Sequence, residues 1–131
     1  WIDVILATDS DLSQYEPEMP EAAKTPGKSG MSAYDGKRAL AKREIEAVLR
    51  RRGLNPDGIL TPAQLVHAAV CLELSYIYRA MARKLEGVDT EKADYYRRSF
   101  ENEIESVVLD YSDPGEATTA TVRPIIPLYR G

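Results

Sequence analysis

The stretch from Thr61 to Glu86, TPAQLVHAAVCLELSYIYRAMARKLE, limits the possible folds more than any other part of the chain. Thr61 suits a helix N-cap, because its hydroxyl can accept from an orphan amide of the first turn. Pro62 fits the first helical position, where a missing N–H costs nothing. Gly87 follows the last periodic residue, where helices commonly stop. Between these signals, Leu65, Ala69, Leu72, Tyr76 and Ala80 recur at helical spacing along one side. Val66, Val70, Leu74, Ile77 and Met81 widen that stripe to most of the circumference. A helix that is apolar nearly all round must be covered by neighbours. The spacing therefore predicts a central helix with others packed on it.

Two amphipathic neighbours are legible. The first runs from about Ala33 to Arg52, opened by Ser32 with Asp35 three residues on and stopped by Gly53. Its apolar stripe is Leu40, Ile45, Val48 and Leu49, with Ala41 and Ala47 as small fillers. The second begins with Thr90 as N-cap and reaches about Leu109 or Asp110. Its stripe is Ala93, Tyr96 or Tyr95, Phe100, Ile104, Val107 and Val108, and Arg97 and Glu101 pair at helical spacing. Leu54 to Leu60 forms a turn around Asn-Pro-Asp-Gly. Thr8 to Tyr15 reads as a short helix capped by Thr8 or Ser10. Short connections on both sides of the central helix favour antiparallel packing.

The expected fold is all-α, a small antiparallel bundle of three main helices plus a short N-terminal helix. Residues 1–111 form the bundle, with residues 1–7 as an extended arm or short strand. Residues 16–31 hold three prolines and two glycines with no apolar period, and read as a long loop. A loop of this length is either functional, ordered by a partner, or a plain connector. Residues 112–131 form an extended tail. Pro124 and Pro127 hold Ile125 and Ile126 extended. So apolar a tail is expected to dock on its own bundle, on a neighbouring copy, or on a partner by strand addition.

Charge is unevenly distributed. The chain has 131 residues and a formal net charge of −4, which fits one domain and argues against a general nucleic-acid binder. The first neighbour helix nonetheless carries Lys37, Arg38, Lys42, Arg43, Arg50, Arg51 and Arg52 against Asp35, Glu44 and Glu46. It is therefore +4, and the rest of the chain is −8. Such a face can meet DNA, can meet the acidic face of a neighbouring copy, or can simply be solvated.

Chemistry-bearing motifs are sparse. There is no Gly-rich phosphate loop, and the acidic residues lack metal-ligand or calcium-loop spacing. His67 and Cys71 lie one turn apart, with no third orienting group nearby in sequence, so neither a metal site nor a nucleophile–base pair is expected. Glu73 is expected to face a partner or water. No enzymatic activity and no cofactor are expected. A single cysteine excludes an intrachain disulfide. No run approaches the about 18–20 apolar residues of a membrane span, and WIDVILA lacks the basic flank of a signal peptide.

Three segments resemble, in order, the head–tail connector or head-completion adaptor proteins of tailed bacteriophages. They are the basic helix with its glycine-containing turn, AKREIEAVLRRRGLNPDGI, the alanine-rich helix LTPAQLVHAAVCLELSYIYRAMA, and the helix EKADYYRRSFENEIESVVLDY. The resemblance covers about Ser32 to Tyr111, and the arm and tail only in character. It implies a virion protein that forms a twelve-copy ring beneath the portal protein. That ring would extend the DNA channel and meet a stopper or tail-completion protein. Packaged DNA would pass through without specific recognition. The protein would lie in the capsid–tail neck, and in the host cytoplasm during assembly. The resemblance further implies a portal-binding tail made of Val122, Arg123, Ile125, Ile126, Leu128, Tyr129 and Arg130. It places Lys37, Arg38, Lys42, Arg43, Arg50, Arg51 and Arg52 at a subunit interface or the channel. The alternative is a small helical DNA-binding or regulatory protein. The turn at 53–61 is too long for a usual helix-turn-helix, however, and the helix after it is apolar.

Overall fold

The computed structural model describes residues 1–17, 35–82, 87–112 and 123–127. The protein is an all-α bundle with a small β-ladder at one end. Its helices are α1 (Asp9–Tyr15), α2 (Asp35–Arg51), α3 (Val66–Met81) and α4 (Val88–Ser106). Single 3-10 turns, Pro56–Gly58 and Pro62–Leu65, join α2 to α3. Strands β1 (Val108–Tyr111) and β2 (Arg123–Pro127) pair antiparallel.

The central position of α3 follows from its composition. Every residue from Ala68 to Ser75 is buried, as are Ile77 and Tyr78. The helices α2 and α4 both pack on it. α4 runs antiparallel to α3, since Arg79 pairs with Asp94 near one end while His67 meets Glu103 near the other. α2 contributes Ala41, Ile45, Val48 and Leu49 to the core, and α4 contributes Ala93, Tyr96, Phe100 and Ile104. Leu6, Ala7 and Leu12 close the core from the N-terminal side.

Local signals decide several boundaries. Thr8 caps α1 with a reciprocal pair: Asp11 N donates to Thr8 Oγ1 at 3.2 Å, and Thr8 N donates to Asp11 Oδ2 at 2.9 Å. Gly53, at φ +80°, ends α2 in a left-handed turn. Leu54 N then donates to Leu49 O and Gly53 N to Arg50 O, both at 3.0 Å, which is the Schellman pattern. Leu54 and Leu49 are both buried, as that motif's apolar contact requires.

Other boundaries differ from expectation. Thr61 does not cap α3; its hydroxyl donates to Asp110 Oδ2 at 3.3 Å, and Pro62–Leu65 tightens into a 3-10 turn before α3 begins. α3 ends at Met81, and residues 83–86 lie outside the described residues. Gly87 does not terminate α3 but serves as the N-cap of α4. Thr90, expected as that cap, lies inside α4 and is buried. α4 stops at Ser106 rather than at Leu109 or Asp110. The hydroxyl of Ser106 turns back onto Asn102 O at 2.9 Å, and the β-branched pair Val107–Val108 continues as extended chain. Leu40 is 44% exposed and Ala47 is exposed, so neither belongs to the buried stripe of α2. The capping pair expected at Ser32 and most of the 16–31 loop lie outside the described residues.

Candidate assembly surfaces

Three carboxylates inside the bundle decide how its helices meet, and hence which faces remain outside. Glu16, just beyond α1, accepts from Tyr96 Oη at 2.6 Å, Tyr78 Oη at 2.8 Å and Lys92 Nζ at 2.7 Å. One side chain thus ties the N-terminal segment to both α3 and α4. Burial by itself would raise the Glu16 carboxyl; the hydrogen bonds from Lys92, Tyr96 and Tyr78 outweigh it and hold the group below the usual glutamate range. The Tyr96 hydroxyl is pushed up, by its own burial and then by its bond to Glu16.

Glu44 on α2 plays the corresponding part on the other side. It accepts from the Tyr76 hydroxyl on α3, and its Oε2 pairs with Arg97 Nη2 of α4 at 2.8 Å. Burial raises its carboxyl and the bonds from Arg97 and Tyr76 lower it, with the lowering dominant. Burial and Glu44 together push the Tyr76 hydroxyl up to about 12.

The third carboxylate is Glu73, which is fully buried in α3. This corrects the expectation that it faces water or a partner. Arg38 Nη2 lies 3.6 Å from Glu73 Oε1 and 2.6 Å from Asp9 Oδ1. Arg38 therefore links α1, α2 and α3. A polar residue is admitted to an otherwise apolar helix because a neighbouring helix brings its counter-charge.

These contacts divide the basic face of α2. Arg38 is engaged inside the chain. Lys42 Nζ donates to Val4 O at 2.6 Å and Ile2 O at 3.2 Å, and lies 5.3 Å from the centre of the Trp1 ring, so it pins the N-terminal arm. Arg50 pairs with Glu46 within α2 but stays exposed. Arg43 and Arg51 are exposed, and Lys37 and Arg52 are half-buried. Arg43 and Arg50 face a groove of about 470 Å³ between α2 and the arm, walled by Trp1, Ile2 and Asp57. The outward face of α4 is of opposite sign. Glu91, Asp94, Glu101 and Glu105 are exposed there, with Arg98 as the exposed cation.

Of the expected tail residues, Arg123, Ile125 and Ile126 lie in β2, which pairs with the chain's own β1. Val122, Leu128, Tyr129 and Arg130 lie outside the described residues.

His67 has more neighbours than its helix alone supplied. Its Nδ1 meets the Tyr15 hydroxyl, and its Nε2 lies 3.8 Å from Cys71 Sγ and 3.7 Å from Glu103 Oε2. Cys71 is buried, and burial, with Glu103 as a smaller cause, pushes its thiol up to about 11. The protonated form thus prevails near neutral pH, which makes this pair a poor nucleophile. Among the described residues, no group of three His, Cys, Asp or Glu is placed to hold a metal ion. No helix among them is long and apolar enough to cross a membrane.

The Glu16 and Glu44 clamps are absent from the expected site residues. A sequence signal for them existed: Tyr76, Tyr78, Tyr95 and Tyr96 stand on helices that must be covered, and a buried phenol needs a polar partner. Nothing in the sequence says which partner. Comparison with protein-family models, with curated proteins and with solved structures returned no match.

Proposed function

We propose that this chain is a structural virion protein, a head–tail adaptor that forms a ring beneath the portal. In that role it extends the DNA channel and joins the capsid to the stopper or tail. The reading is supported by the resemblance over Ser32 to Tyr111. The observation that carries it is the opposition of charge between the outer faces of α2 and α4. Arg43, Arg50 and Arg51 stand exposed on one, and Glu91, Asp94, Glu101 and Glu105 on the other.

A surface that fits a different surface of the next copy makes a heterologous contact, and such contacts close into rings when the rotation permits. Individually weak contacts suffice around a closed ring. In this reading α2 of one copy meets α4 of the next, twelve copies close the ring, and the tail from Thr121 to Arg130 leaves β1 to reach the portal. With Arg38 and Lys42 engaged within the chain, fewer cations of α2 remain to hold phosphate. That suits a channel through which DNA must slide. The protein works in the capsid–tail neck and assembles in the host cytoplasm.

Native mass spectrometry of the protein alone and mixed with its portal tests the reading. The expected result is a ring on the portal that the triple variant R43E/R50E/R51E abolishes and that added E101R/E105R restores. Rings that form normally without residues 121–131 would remove the tail from the portal contact. A protein that ignores the portal but retards duplex DNA in a salt-dependent manner would replace the reading with a small helical DNA-binding or regulatory protein.

A further inference from the structure

β1 is held on one side without help from β2. Leu60 N donates to Asp110 O and Ser112 N donates to Gly58 O, both at 2.9 Å. Asp110 N donates to Gln64 Oε1 at 2.9 Å, and Tyr111 Oη accepts from Asn55 N at 3.0 Å. Leu109 is fully buried. Backbone groups alternate sides along a strand, so Leu109 and Tyr111 direct theirs the opposite way. There β2 lies, with Leu109 opposite Ile126 and Tyr111 opposite Arg123. The bundle thus builds a strand-receiving edge, and an apolar, proline-flanked segment of the same chain occupies it.

The ladder that holds that occupant is short. β2 spans five residues, and Pro124 and Pro127 have no N–H to give to a ladder. Residues 112–122 separate the strands in sequence, whereas a β-hairpin connection takes about two to five residues. A stretch of that length can reach at most roughly 40 Å.

We propose that β2 is an exchangeable strand, and that the β1 edge of one copy accepts Arg123–Pro127 of a second copy. The ladder formed between copies has the same register as the ladder within one copy. The two differ only in the entropy of the connection, which for a short linker corresponds to a millimolar effective concentration. Dilute chains therefore keep β2 on their own β1, and copies held side by side trade it. The inference concerns copies of this chain alone and does not rest on the adaptor reading.

Val108 is exposed and stands opposite Pro127 in the ladder, so this pair reports the exchange. Full-length V108C and P127C chains of different mass are mixed at about millimolar concentration, comparable with the effective concentration of the connection, under a glutathione redox buffer and resolved without reductant. The expected result is a mixed V108C–P127C disulfide several-fold more abundant than either homodimer, reduced by excess synthetic peptide of residues 121–131. The double variant V108C/P127C is the control for the register. If it closes its internal disulfide while the mixture yields no excess of the mixed species, the strand stays in its own copy and the proposal is overturned. If neither disulfide forms, the edge does not receive this segment at all, and the proposal is overturned equally.

Discussion

Glu16→Ala is expected to destabilise the bundle by about 3 kcal/mol, mainly through the two tyrosines it holds. The Glu16 side chain is 16% exposed, and Tyr96 and Tyr78 are 6% and 2% exposed. A hydrogen bond to a charged group contributes about 1.5–3 kcal/mol net, and the lower end applies where water reaches the site's edge. Two such bonds give about 3 kcal/mol. The bond from Lys92, which is 40% exposed, adds well under 1 kcal/mol because solvent screens it. For a chain of this size the loss lowers Tm by about 10 °C. Calorimetry or thermal circular dichroism reads it directly. A double-mutant cycle with Tyr96→Phe isolates the pair, with an expected coupling of about 1–2 kcal/mol.

The same clamp has a signed pH dependence. The folded Glu16 carboxyl lies below its unfolded value. Its stabilisation is therefore full above the ordinary glutamate range and is lost as pH falls through the folded value. The gap between the wild-type chain and E16A must narrow in acid. A coupling energy below about 0.5 kcal/mol, or a gap that stays constant from neutral pH into acid, would refute the reasoning.

Two further outcomes follow from the ladder and the thiol. Gly58→Ala is expected to cost about 1–3 kcal/mol in a denaturant titration, because an added Cβ would lie 2.5 Å from the Tyr111 ring and 2.6 Å from Ser112 O. An unchanged midpoint would mean that β1 does not lie on that turn. Cys71 is expected to resist iodoacetamide in the native chain near neutral pH and to react fully once the chain is unfolded, since burial raises its thiol to about 11. Rapid native alkylation followed by mass spectrometry would place the thiol outside the core.

Some elements were legible because a single residue carries its own physical signature. Gly53 marks the end of α2, since a left-handed residue after a helix is nearly always glycine. Thr8 with Asp11 marks the start of α1, since the capping box is a local exchange of two bonds. The apolar run of α3 could only be central, and Ala68 to Ser75 are buried accordingly. Leu40, expected in the buried stripe of α2, stands outside it because helical spacing cannot tell the edge of a stripe from its middle. Thr61 and Gly87 depart from their expected places because each has a competing use, Thr61 on Asp110 and Gly87 at the head of α4.

The candidate surfaces divide along the same line. Local composition determined the helical character, the basic sign of α2, the acid excess elsewhere and the extended form of Arg123–Pro127. These depend on residues near in sequence, whose periodicity and φ restrictions act over a few positions. Tertiary structure alone decided that Arg38 turns inward to Asp9 and Glu73, that Lys42 holds the arm, and that Glu16 and Glu44 gather tyrosines from other helices. It also decided that β2 lies on β1. Glu16 and Tyr96 are 80 positions apart. A carboxylate shows its partner only when burial removes water as the alternative, and burial is a property of the packed chain.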